Sequence, residues 1–315
     1  NKNNGFQLGR ISKVHWKFGD TNVEEVKQFK YLGFHFQSSG KFNKHMESLA
    51  SIGKRRAAEV WGIGERKCKD NFLVRMQMFK SLVLPAMTYG AEITGWTEWD
   101  CLEMAQRRYL RWVLGLSRGT KKAILMEETK SIPIYIETGA AAMKYEEKIS
   151  ASPCDALRAC LCEVLQGCET YWSKLREMYC NRNGWSAVEI NNAQRRGETV
   201  WAELKNRDVE CYHQLKFNKL SICRYRFLQT DRLPWYLQRG RDISLIARFR
   251  CGNEERGELG WSRDKSCRIC GWKEETVPHM KTNCCKDDRT WCALLNERGS
   301  GADWMREVIK RRNHS

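Results

Sequence analysis

No stretch of this 315-residue chain is apolar for long enough to cross a membrane. The longest runs, such as LVLPAM at Leu82–Met87, fall far short of the roughly 20 residues that a spanning helix needs. Internal repeats and low-complexity tracts are absent as well, which removes solenoid and linker-like readings. No signal peptide opens the chain, and its first residue is Asn1 rather than Met, so it reads as a fragment or processed piece of something longer. Acidic residues are scarce beside basic ones. The 38 Asp and Glu against 55 Lys and Arg leave a net charge of +17 and a pI near 9.3, so acidic partners are expected and nucleic acid leads them.

Hydrophobic residues make up 42% of the chain, enough for two or three modest cores, and 13 Trp argue against a disordered basic tail. Fifteen cysteines are an odd number in a chain too long for a disulfide scaffold. They indicate a reduced compartment, the nucleus or cytoplasm.

The stretch CRICGWKEETVPHMKTNC carries Cys267, Cys270, His279 and Cys284 at C-x2-C-x8-H-x4-C spacing. Zinc takes four such ligands in a tetrahedron, and a C-x2-C turn supplies two of them from one loop. His279 and Cys284 come from a second short segment, expected as a turn of helix. Cys285 is an alternative to Cys284 as the fourth ligand, and chance spacing in a cysteine-rich chain is the alternative to the whole site.

Near the other end, KVHWKFGDTNVEEVKQFKYLGFHFQSSG reads as a β-hairpin or a pair of nearby strands. Val14, Trp16 and Phe18 alternate on one face, and Leu32, Phe34 and Phe36 do so later. Asp20 and Asn22 supply turn chemistry, and Ser38–Gly40 closes the second strand. Helical patterns follow. Met46, Leu49, Ile52 and Val60 mark the first, Phe72, Met76, Phe79 and Val83 the second, with a kink expected at Pro85. Leu102, Ala105, Tyr109 and Val113 mark the inward face of the third. Past a boundary at Ser150–Pro153, further helices are expected around Leu157–Leu165, Trp172–Tyr179 and Val200–Leu220. The spacing of Cys154, Cys160, Cys162 and Cys168 does not converge on one helix face, so these read as ordinary thiols.

Retroviral zinc knuckles have a middle gap half as long as the one here. The clip and the ISLIARFRCGNEERGELGW segment before it resemble, in that order, the C-terminal part of non-LTR retrotransposon reverse transcriptases. TYGAEITGW and QRRYLRWVLGLSRGT resemble the thumb of the same family, and the YLG at Tyr31, Leu32 and Gly33 looks like its primer grip. A glycine within a strand there would let a primer backbone come close, with a plain edge strand as the alternative. The resemblance covers about residues 10–145 and 243–285.

It implies a mainly α fold with a small N-terminal β-hairpin. The palm end would occupy residues 1–40, a helical thumb 41–150, a helical linker 151–262, a zinc knuckle 263–290 and a basic tail 291–315. The implied role is to hold template RNA and primer or target DNA for an RNA-directed DNA polymerase, with zinc as structural cofactor. The family's aromatic-X-Asp-Asp turn, which holds two Mg²⁺ ions, precedes the primer grip and is missing here. Asp20 is the only aspartate before Tyr31, and Asp287–Asp288 reads as a solvated helix start. This chain alone is therefore expected to be inactive as a polymerase. Lys54, Arg55 and Arg56, with Arg107, Arg108 and Arg111, are the candidate duplex contacts, against the alternative of solvated helix faces. Trp261 and Trp272 are candidates for stacking on unpaired bases, against core packing. Two other readings stay open: a free-standing, domesticated zinc-dependent nucleic-acid-binding protein, and a helical interaction scaffold.

Overall fold

The computed structural model describes residues 4–5, 17–22, 24–166, 169–257, 263–296 and 300–314. Val14, Trp16, Cys168 and Trp261 lie outside them. The described chain begins with short strands: β1 (Asn4–Gly5), β2 (Lys17–Phe18), β3 (Thr21–Asn22), β4 (Glu24–Glu25), β5 (Gln28–Tyr31) and β6 (Phe34–Gln37). β1 and β4 pair in parallel, while β2–β3 and β5–β6 are antiparallel hairpins.

Helices and connections make up the rest, so the fold is mainly α. They run α1 (Asn43–Lys67), α2 (Phe72–Met78), α3 (Leu84–Met87), α4 (Ala91–Thr94), α5 (Asp100–Leu114), α6 (Lys122–Glu128), α7 (Ile134–Ser150) and α8 (Asp155–Gln166). Then come α9 (Tyr171–Arg182), α10 (Ala187–Arg195), α11 (Trp201–Ser221), α12 (Trp235–Arg239), α13 (Ile243–Arg250), α14 (Val277–His279), α15 (Trp291–Asn296) and α16 (Ser300–Arg312). The kink expected at Pro85 takes the form of a π turn, Phe79–Val83, between α2 and α3. Proline has no N–H to return to the preceding turn, and the widened turn absorbs that loss.

Contacts divide the chain into two units, each discontinuous in sequence. The first comprises Asn1–Lys54, Leu84–Glu103 and Pro133–Cys211. At its centre Trp96 meets Tyr179 and Trp172 edge-on, with Met143, Leu175, Ile190 and Leu204 packed around them. Gly139 is required there, because a Cβ would stand 2.6 Å from the Tyr179 ring. Buried in the same unit, Arg176 grips Glu146 through two bonds of 2.6 Å and donates to Asn191 at 2.9 Å. Glu147 accepts the Val200 and Trp201 N–H groups at 2.7 and 2.9 Å, which caps the start of α11.

The β5–β6 hairpin also belongs to this unit. Tyr31 pairs with Phe34, so Leu32 and Gly33 form a two-residue turn with φ of 46° and 85°. Gly33 was expected inside a strand. It occupies a turn corner instead, because a tight turn of this twist needs positive φ at both central residues. Phe34 stacks on buried His45 at 3.9 Å, and the His45 Nε2 lies 3.1 Å from the Tyr89 carbonyl.

The second unit comprises Arg55–Val83, Met104–Ile132 and Tyr212–Ser315. Phe79 stacks on Tyr109 at 4.7 Å, and the Tyr109 hydroxyl donates to the Arg75 carbonyl at 2.7 Å. Arg75 itself is buried and pairs with Glu65 at 3.2 Å. A second focus is Glu128, fully buried, which accepts from Arg250 at 2.6 Å, from the Tyr236 hydroxyl at 2.5 Å and from the Tyr225 hydroxyl. Burial, reinforced by this carboxylate, pushes both phenols well above their ordinary range. Asn253 joins the segment after α13 to the loop after α5, accepting the Ser117 N–H at 2.7 Å and bonding Thr120.

Candidate metal centre and nucleic-acid surface

The clip lies in the second unit and is built from a turn and a short helix. Cys267 and Cys270 bracket a tight turn in which Gly271, at φ 73°, donates to the Cys267 carbonyl at 2.8 Å. Thr276 caps α14 by accepting the His279 N–H, and Pro278 sits in the first turn, where its missing donor costs nothing. A π turn, Met280–Cys284, then continues the helix. In an α-helix residues five apart stand about 140° apart around the axis, at about 100° per residue. A π turn closes on the fifth residue, as the Cys285 N–H does on the Met280 carbonyl at 2.7 Å, and this brings Cys284 beneath His279. The H-x4-C spacing and the π turn explain each other.

The ligand atoms of Cys267, Cys270, His279 and Cys284 all lie within 4.8 Å of one another. Cys267 and Cys284 sulfurs are 3.7 Å apart, and His279 Nε2 is 3.2 Å from Cys270 and 3.5 Å from Cys284. A tetrahedron with metal–sulfur bonds of about 2.3 Å and metal–nitrogen bonds of about 2.0–2.1 Å has edges of roughly 3.8 Å and 3.5 Å. The donors therefore fit zinc in both type and spacing. Cys285 is not part of the cluster; its carbonyl accepts the Trp304 indole N–H at 2.8 Å, and burial pushes its thiol up. The Trp272 backbone N–H holds the Cys270 thiol down to about 6, aided by His279 and the neighbouring thiols. Burial, with the Cys270 and Cys267 thiols, pushes Cys284 up to about 12. Asn283 lies 3.2 Å from His279 Nδ1, where its amide can fix the ring with Nε2 facing the sulfurs.

A ring of charge surrounds the clip, and the sequence reading missed it. Arg268, between the two cysteines of the turn, binds the Glu275 carboxylate through its backbone N–H at 2.8 Å and its Nε at 2.9 Å. Glu255 accepts the Val277 N–H at 2.8 Å and pairs with Arg224. Arg312 reaches Glu254 at 2.6 Å and Glu275 at 2.9 Å. Although burial alone would raise it, the Glu275 carboxyl is held below the ordinary carboxylate value by Arg268 and Arg312. The 291–315 segment expected as a basic tail contains α15 and α16, with Leu294, Leu295, Trp304, Met305 and Val308 buried. Apart from Arg268 and Glu275, seven residues apart, these partners lie 14 to 58 residues apart and leave no local pattern; the sequence signal is the Glu-Glu doublets before and within the clip.

The other candidates fall into distinct settings. Trp272 is 90% exposed at the tip of the clip, beyond any core. On α1, Lys54 and Arg55 are exposed and have no ion pair among the described residues, while Arg56 pairs with Glu59 at 3.2 Å. On α5, Arg108 is exposed and lies over the Trp112 ring at 4.6 Å. Arg107 and Arg111 are half-buried, and Arg111 donates to the Thr120 carbonyl at 3.0 Å. Tyr31, Leu32 and Gly33 form the exposed tip of the hairpin, where the Leu32 carbonyl accepts from the Tyr89 hydroxyl at 2.5 Å. Asp287 is held low by Arg289, to which it is ion-paired at 2.6 Å. Among the described residues the clip is the single His, Cys and carboxylate cluster of metal-binding geometry, and no helix is long and apolar enough to cross a membrane.

The chain matches no family profile and no solved structure. It is 33% identical over 100 residues to a Caenorhabditis elegans protein described as an uncharacterized transposon-derived protein. That match takes in 29% of this chain and 32% of the other, so the chain spans about a third of the length of the relative it matches.

Proposed function

We propose that this chain is a nucleic-acid-holding region of a transposon-derived, non-LTR-type RNA-directed DNA polymerase, with zinc as its structural metal. The observation that carries the reading is the convergence of Cys267, Cys270, His279 and Cys284 at tetrahedral spacing in a clip of C-x2-C-x8-H-x4-C form. Likeness to a transposon-derived protein and the net charge of +17 support it. Cys267, Cys270, His279 and Cys284 would hold the zinc, which supplies folding energy to the clip and no reaction step. Trp272, projecting from the clip, would stack on unpaired bases of template RNA. Exposed Lys54, Arg55 and Arg108 would meet phosphates of a primer–template duplex, with Arg56, Arg107 and Arg111 as flanking charge. The Tyr31-Leu32-Gly33 turn would approach the primer strand. Mg²⁺ chemistry belongs to the aspartate pair that the family carries ahead of this turn. Such a protein works in the reducing nucleus and cytoplasm.

The likeness to a transposon-derived protein equally suits a domesticated form that binds nucleic acid without polymerising. The genomic frame upstream separates the two: an in-frame Asp-Asp motif is expected for the polymerase. Binding is tested with the purified chain and a single-stranded RNA. We expect one zinc per chain and salt-sensitive binding that Trp272→Ala weakens about tenfold, in line with one lost stacking contact. Zinc-free protein, or RNA binding absent at low salt, overturns the reading.

A further inference from the structure

We propose that α16 is the closing wall of the metal centre, so that metal binding and docking of this C-terminal helix are one cooperative event. The inference rests on the zinc reading above and concerns residues that the C-x2-C-x8-H-x4-C spacing does not include. Both halves of the clip are tied to α16. On one side, the Arg311 guanidinium donates to the carbonyl of Cys284, itself a candidate ligand, and the Trp304 indole donates to the next carbonyl at 2.8 Å. On the other, Arg268 lies between Cys267 and Cys270 and holds Glu275, whose carboxylate takes Arg312 at 2.9 Å. Arg312 also binds the carboxylate and the backbone carbonyl of Glu254, both at 2.6 Å.

These contacts close a ring in which each part supports the next. The side chains of Arg312, Glu254 and Glu275 are all nearly inaccessible to water. Undocking α16 would leave buried carboxylates short of a guanidinium, and opening the clip would take Arg268 and the Cys284 carbonyl away from α16. A buried pair that loses one partner is left with an uncompensated charge, so intermediate states are disfavoured. Apolar contact strengthens the link: Trp304 meets Phe249 edge-on at 5.7 Å, and Val308 is fully buried. The folding unit of the metal centre thus runs from Glu254 to Arg312 rather than over the eighteen residues of the clip. Metal loss would free a helix whose last turn carries Lys310, Arg311 and Arg312. The arginines that now serve as internal ties would then become mobile positive charge.

Hydrogen exchange on the full chain, with zinc and after chelation, tests the coupling. We expect peptides from α16 to lose protection together with those from residues 265–286, while α9 peptides stay unchanged. Protection of α16 that survives zinc removal overturns the proposal. A second measurement is zinc transfer to a chromophoric chelator. Arg312→Gln and, separately, Arg311→Gln should release zinc about tenfold more readily, the range seen when partners of metal ligands are removed. Arg311 is exposed, so its substitution is tolerated even where that of Arg312 is not. Wild-type release from both variants also overturns the coupling and leaves the zinc reading intact. A chain that binds no zinc sinks that reading and this one together.

Discussion

At the β5–β6 hairpin the chain is anchored by aromatic rings and one buried imidazole; at the clip it is anchored by thiols and paired charges. Phe34 lies on His45, the ring of Tyr89 meets Gly33, and no carboxylate takes part in these contacts. Around the clip, by contrast, four carboxyl–guanidinium contacts join Arg268 and Arg312 to Glu254 and Glu275. The difference teaches which perturbation each region answers. Stacked rings and a neutral imidazole are insensitive to chelators, whereas a small clip with four candidate metal donors would, on the zinc reading, answer to metal removal.

Removing the metal ligands should break this contrast most visibly. Structural zinc contributes on the order of 10 kcal/mol to folding such a clip, so Cys267→Ser with Cys270→Ser should unfold residues 265–286 even in excess zinc. Limited proteolysis is expected to cut within the clip and to leave the hairpin and α9 intact. Equal resistance of the clip in wild type and double variant would show that the ring of ion pairs is sufficient without metal.

The hairpin should respond to acid instead. Burial lowers the His45 value, and the nearby His35 lowers it further, against the opposing effect of the Tyr89 carbonyl. The folded state therefore prefers the neutral ring. Its contribution is fully present above the unfolded value of about 6.5 and is lost as pH falls from there through the lowered folded value. Urea unfolding of the wild type at a series of pH values should show this loss, and His45→Gln, which does not titrate, should lack it. The same pH slope in both proteins would mean that another group is responsible.

The contrast also separates what could be read in the sequence from what could not. Helix faces were legible, because burial follows the 3.6-residue period: Leu102, Ala105, Tyr109 and Val113 are all buried as expected. So were the helices around Leu157–Leu165, Trp172–Tyr179 and Val200–Leu220, which correspond to α8, α9 and α11. The four candidate metal donors were legible because metal geometry confines such donors to short spacings. Cys284, read as the fourth donor with Cys285 as the alternative, is the one in the cluster; the π turn that places it there was not legible. Gly33 was misplaced because a strand glycine and a turn glycine have the same flanking aromatics. Arg75, Glu128 and Arg312 were missed for a common reason: a buried charge is defined by a distant partner, and no local period marks it.

The smallest expected effect concerns the face of α1, where function and bland solvation are hardest to tell apart. Gly53, Ala57 and Val60 are buried and define the inward side of the helix. At about 100° per residue, Arg55 stands roughly opposite Gly53, with Lys54 and Arg56 on its flanks. Arg56 is already paired with Glu59, so its charge is partly offset, while Lys54 and Arg55 have no ion pair among the described residues. If Lys54 and Arg55 each touch a phosphate, neutralising either should lower the salt slope of duplex binding by about 0.9, the value for one phosphate contact. Arg56→Gln should lower it less, because Glu59 already offsets the charge that is removed. The decrease should be alike for unrelated sequences, since phosphate contacts carry no base information. A salt titration of RNA–DNA duplex binding by wild type, Lys54→Gln, Arg55→Gln and Arg56→Gln measures all of this. Unchanged slopes in folded variants would make this helix face a solvated surface, and the duplex would have to be held elsewhere.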